Sequence, residues 1–124
     1  MAAERPLVAR VDQATDVRTF PHGRVDVIEI GPLVLGRARL EPGWRWSRDV
    51  RPVVGAHSCQ VRHVGYIVEG TLAIRMDDGT NEFAGPGDAF VVPPGHDGWV
   101  VGDGPCIMLD WAGGGEYGKP GARP

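Results

Sequence analysis

Apolar and polar positions alternate along this chain in short runs, with glycine and proline between them. In RVDVIEI (Arg24–Ile30), Val25, Val27 and Glu29 fall on one face of an extended chain, and Asp26, Ile28 and Ile30 on the other. LVLGRARL (Leu33–Leu40) follows after Gly31-Pro32. HVGYIV begins at His63, and TLAIRM (Thr71–Met76) puts Leu72, Ile74 and Met76 on one face. Asp77-Asp78-Gly79-Thr80 carries an Asp-Gly hairpin signal. NEFAG leads into the turn Gly85-Pro86-Gly87-Asp88, AFVVPP is stopped by two prolines, and WVVG and CIMLDW complete the set. No stretch longer than about ten residues keeps apolar spacing at i, i+3, i+4 and i+7 without a glycine or proline, so helix is expected to be minor. Short strands punctuated in this way predict an all-β sandwich or barrel.

With 124 residues the chain suits one domain and one modest core. The expected division is an N-terminal extension over 1–23, a β-barrel over 24–111 and a Gly/Pro-rich flexible tail over 112–124. The 19 glycines and 11 prolines otherwise sit between apolar runs, which argues against disorder. A net charge of −3 excludes the electrostatic footprint of a nucleic-acid or membrane-surface binder. No apolar run approaches the ~20 residues of a membrane span. The start, MAAERPLVAR, has no apolar leader core, so a cytoplasmic, reducing setting is expected. There Cys59 and Cys106 are not expected to pair, and Cys106, in PCIMLDW, reads as a small buried hydrophobe.

The candidate chemistry lies in GAHSCQVRHVGYIVEG (Gly55–Gly70), which holds His57, Cys59 and His63. Positions 57, 59 and 63 share parity, yet on one straight strand 57 and 63 would stand ~20 Å apart. One ion, with ligands at ~2.0–2.3 Å, could take both only if the chain bends at Gln60-Val61-Arg62. His96, in PPGHDGW after a Pro-Pro-Gly turn, is available as a fourth ligand, whereas His22 in FPHGR reads as a turn residue. Trp44 and Trp46, in GWRWS, would share a strand face and could wall a ligand pocket or simply fill the core. Asp97 could orient the His96 imidazole or cap a turn. Arg45, Arg62 and Arg75 could grip a carboxylate or merely be solvated. Tyr66, opposite in parity to His63, is expected outside, and Glu69 in a turn.

The segment Gly43–Asp110 resembles the cupins, a family of small antiparallel β-barrels of the jelly-roll kind. Their first motif has the form G(x)5HxH(x)3–4E(x)6G and their second G(x)5PxG(x)2H. Here the first maps onto His57-x-Cys59-x3-His63-x6-Gly70, with cysteine for the second histidine and histidine for the glutamate. The second maps onto Gly87-x5-Pro93-Pro94-Gly95, but Gly98 stands at the usual histidine position and His96 lies two residues earlier. The resemblance implies a divalent metal held by His57, Cys59, His63 and His96. Three imidazoles and a thiolate favour zinc, with iron, nickel or copper as alternatives. The function expected is binding or conversion of a small polar metabolite inside the barrel, with the metal as Lewis acid or water activator in a lyase, isomerase or hydrolase. A non-catalytic ligand-binding or sensor module is the alternative reading, and an iron or copper dioxygenase a weaker one. By analogy with cupin-like barrels, which have edge strands to cover, a homodimer is expected.

Overall fold

The turns read from glycine and proline divide the chain where the backbone reverses. Gly79 takes φ +92° in the Asp77–Thr80 hairpin, where the Asp78 carboxylate accepts the Thr80 N–H at 2.9 Å. In the Gly85–Asp88 turn the Asp88 carboxylate accepts the Gly85 N–H at 2.8 Å. The structure is a computed structural model and describes residues 5–112, so the expected tail at 112–124 lies outside the described residues apart from Ala112.

Nine strands form among the described residues: β1 (Asp16–Phe20), β2 (Gly23–Ile30), β3 (Leu33–Leu40), β4 (His63–Glu69), β5 (Thr71–Met76), β6 (Asn81–Ala84), β7 (Ala89–Val92), β8 (His96–Val101) and β9 (Cys106–Asp110). Between β3 and β4 lie two one-turn helices, α1 (Trp46–Asp49) and α2 (Arg51–Val54). All strand pairs are antiparallel. One sheet runs β1-β2-β3-β9-β4-β7 and the other β6-β5-β8. The all-β, jelly-roll expectation holds, as two facing sheets that bury one core between them and do not close into a continuous ladder.

Three local expectations change. Asp16–Phe20, inside the expected N-terminal extension, forms β1 and pairs along β2. The simple in/out alternation of β2 does not survive, because Val25, Asp26, Val27 and Ile28 are all buried. Trp44 and Trp46 do not share a strand: Trp46 opens α1, and Trp44 lies in the loop before it, tied to β8 by the Val100 N–H donating to its carbonyl at 3.1 Å.

Candidate metal centre

Three of the four candidate ligands come together, but the bend lies at His57-Ser58, ahead of Cys59, and not at Gln60-Val61-Arg62. His63 is the first residue of β4 in the larger sheet, and His96 the first of β8 in the smaller one. Cys59 sits in the connection into β4 and forms an antiparallel bridge with His96. The Cys59 N–H donates to the His96 carbonyl at 2.7 Å, and the Gly95 N–H to the Cys59 carbonyl at 2.8 Å. The flank of this connection is fastened by Ser58 Oγ donating to Asp77 at 2.8 Å. The side-chain donor atoms of Cys59, His63 and His96 lie within 4.8 Å of one another, and this is the one such group among the described residues.

His57 is not in that group. It is exposed, in a bend between the Gly55 cap of α2 and the Cys59 bridge. Shared parity places 57 and 59 on one face only of a straight strand, and here the chain is not straight. The shift of His96 from the usual cupin position keeps it on the same face of β8 as Gly98, and both line the cavity described below. A Cβ at Gly98 would crowd the Ala73 carbonyl oxygen at 3.3 Å and meet Trp44 Cζ3 only at ordinary contact distance, 3.8 Å.

Each imidazole is oriented from behind. His96 Nδ1 lies 2.7 Å from the Pro93 carbonyl, which can only accept, so Nδ1 carries a proton and Nε2 is the atom left for ligation. His63 Nδ1 donates to the buried carboxylate of Asp110. Asp110, the last residue of β9, stands opposite Gly65 of β4, two residues from His63 on the same strand face. A side chain at Gly65 could not be accommodated, since its Cβ would run into the Leu109 carbonyl oxygen and meet the Phe90 ring at 2.6 Å. Asp110, not Asp97, is thus the orienting carboxylate. Asp97 instead receives the Ser47 N–H at 3.0 Å and Arg45 Nε at 3.2 Å, holding α1 to β8.

The fit to a metal can be tested on the donor atoms. Cys59 Sγ and His63 Nε2 are 3.6 Å apart. Zn–S of ~2.3 Å and Zn–N of ~2.0–2.1 Å at a tetrahedral angle put sulfur and nitrogen about 3.6 Å apart. The thiol is also poised. Burial pushes Cys59 up, but hydrogen bonds from His63 and His96 and their charge outweigh it, bringing its pKa to about 6. Burial disfavours the charged form of His63, yet Asp110 and Cys59 overcome this and raise it to about 9. Without metal, the two therefore stand as a thiolate–imidazolium pair between those limits.

His63, His96 and Asp110 are among the residues lining a cavity of about 50 Å³ between the sheets. Trp44, Trp46, Leu72, Ile74, Phe90 and Met108 are among its largely apolar walls. Arg45 lies outside it, stacked 4.6 Å over the Trp99 ring. Arg62, Arg75 and Glu69 are exposed, and Tyr66 is 40% exposed on the outer face.

No family model and no curated protein matches the sequence. Among solved structures, the fold is similar to KdgF from Halomonas sp. (TM-score 0.52, 21% identity, covering 79% of this chain and 80% of that one). It is also similar to the polyketide cyclase RemF from Streptomyces resistomycificus (TM-score 0.60, 20% identity, 99% and 82% covered). A third likeness is to a single-residue variant of the oxalate decarboxylase of B. subtilis (TM-score 0.62, 16% identity), where 92% of this chain spans 31% of the decarboxylase.

Proposed function

We propose that this chain, which has the cupin fold, holds one zinc ion through Cys59, His63 and His96 and uses it on a small molecule seated between the sheets. One observation carries the reading: two imidazoles with anchored Nδ1 atoms and one low-pKa thiol converge at the wall of a cavity. Three protein ligands leave a fourth position, as in catalytic rather than structural zinc sites. A soft thiolate with two imidazoles suits zinc better than iron or manganese. Bound there, zinc would supply Lewis acidity and lower the pKa of water.

The protein's own contribution follows from its residues. Asp110 keeps the His63 proton on Nδ1 and leaves Nε2 for ligation. The largely apolar walls favour the apolar part of a ligand and leave its polar group to the histidines. The titratable side chains lining the cavity are His63, His96 and Asp110, all in the site itself. Any lyase, isomerase or hydrolase step therefore leans on the metal. That a decarboxylase and a cyclase have similar folds is compatible with such chemistry but does not choose it. The same scarcity of acid–base groups supports a second reading, a metal-bearing ligand sensor without turnover. We also propose a homodimer, supported by exposed Val17, Leu33 and Val34 on β1 and β3.

Elemental analysis of untagged protein, followed by zinc titration of the chelator-treated form, tests the centre. One zinc per chain is expected, with a lower melting temperature after its removal. Absence of any transition metal, even after incubation with zinc, would overturn the reading.

A further inference from the structure

On one side of the molecule the two sheets stay apart. β6 ends the smaller sheet, β7 ends the larger one, and the Gly85–Asp88 turn joins them. Between them lies an open groove of about 470 Å³, whose apolar lining includes Ile74, Met76, Phe90 and Val92. Among the described residues β7 pairs with β4 alone. The Trp111 N–H donates to the Val64 carbonyl at 3.0 Å, so Val64 turns its backbone groups to β9, and His63 and Gly65 turn theirs to β7. Their partners Val92 and Phe90 complete that ladder, which leaves the N–H and C=O groups of Ala89 and Val91 on the free edge. Both residues are exposed, Val91 by 64%. Such an edge is a template for a further strand.

We propose that β7 takes up an extended, basic peptide segment of another protein as a seventh strand of the larger sheet. Charge selects this occupant. The charged residues lining the groove are Glu82 and Asp88, both acidic. Asp88 already accepts the Gly85 N–H, whereas Glu82 has no ion-pair partner among the described residues. Glu82 stands opposite Ile74 and shares with buried Ala84 the core-facing side of β6. A second copy would bring the same sign of charge to the groove, and an inward-pointing charge on an edge strand works against such self-pairing. A lysine or arginine facing Glu82 turns that obstacle into an attraction. The four residues of β7 span ~13 Å, the length of a segment of about four to six residues. Its core-facing side chains would be apolar over Ile74 and Met76 and basic at Glu82. Ile74, Phe90 and Val92 line the groove and the metal-bearing cavity alike, so an occupant touches a wall of the site without needing the metal for its own binding.

Titration of the full chain with acetyl-Thr-Val-Thr-Val-Thr-Lys-Thr-amide, followed by amide hydrogen exchange, tests this. The Ala89 and Val91 amides should become protected as the peptide binds. N-methylation of the central Val-Thr pair, which removes one N–H from each edge of the peptide, should abolish that protection. Exchanging the peptide's lysine for glutamate should weaken binding about fivefold at low ionic strength, and Glu82→Lys should reverse the preference between the two peptides. The peptide variants act on the unaltered protein, so they decide the matter even if Glu82→Lys misfolds. No protection of Ala89 and Val91 at millimolar peptide, or equal affinity for the lysine and glutamate peptides, overturns the proposal. Protection that grows with protein concentration in the absence of peptide overturns it too, because the occupant is then a second copy.

Discussion

The two cysteines mark two regions that are equally dry and chemically opposite. Cys59 is 2% exposed at the mouth of β4, and Cys106 is 0% exposed where β9 leaves its turn beside Gly70. Around Cys106 burial acts alone and pushes the thiol up to about 12. Around Cys59 the same penalty is overcome by His63 and His96, and the thiol falls to about 6. Burial therefore does not decide what a cysteine does in this fold. The neighbours do, and they are supplied by two sheets meeting at the cavity but not at Cys106.

Replacing each cysteine by serine puts that contrast under the most strain. Cys59→Ser should weaken zinc by more than about a hundredfold, since loss of a ligand exceeds the ~10–100-fold cost of losing a partner behind one. Cys106→Ser should leave zinc affinity within about twofold and instead cost about 1–3 kcal/mol of stability, from an unpaired buried hydroxyl. Equal zinc retention in the two variants, measured by competition with a chelator, would remove Cys59 from the site. Asp110→Asn comes next, with an expected loss of about 10–100-fold, because it weakens the group that orients His63.

Acidity should grade the metal end and leave the Cys106 end untouched. Ligation needs a thiolate and a neutral imidazole. Between about pH 6 and about 9 the thiolate is present, but His63 holds a proton that must leave. From this pair, each pH unit downward in that window should weaken zinc about tenfold, with one proton released per ion bound. Below about 6 Cys59 is protonated as well and the dependence steepens, while above about 9 the pair contributes none. Calorimetry in buffers of different ionisation enthalpy counts the protons; a count of zero at neutral pH would dissolve the pair. The smallest effect is expected from His57→Ala, which should change zinc affinity less than about twofold, since His57 is exposed and outside the donor group. A loss approaching that of Cys59→Ser would mean that the bend at His57 rearranges around the ion.

Much of this is legible in order along the chain. Alternation marks β5, and the Asp-Gly and Gly-Pro-Gly-Asp turns mark its neighbours, because a surface turn and a half-buried strand each leave a local signature. β1 is not legible: DVRTF forms an edge strand with no fully buried residue, so it carries no apolar alternation to read. Nor are α1 and α2, whose four residues each are too few to show a helical period. In the site, Cys59, His63 and His96 can be gathered from two motifs, whereas His57 is misplaced by extending strand parity through a bend. Reading the sequence misses Asp110 although a signal exists. Cys106, Met108 and Asp110 share a face of β9, so a carboxylate stands where the pattern calls for an apolar side chain. The Trp44 indole N–H, buried without a hydrogen-bond partner among the described residues, has no such signal, because satisfaction of an indole N–H depends on everything folded around it.

The position of β9 also bears on how the protein is born. The last strand among the described residues is the one inserted between β3 and β4, so the larger sheet exists as two separate halves until residues 106–110 emerge from the ribosome. The same insertion delivers Asp110 to His63. A nascent chain stalled before that point can already bridge Cys59 to His96 but lacks the carboxylate that orients His63, so the centre is complete only once β9 is in place.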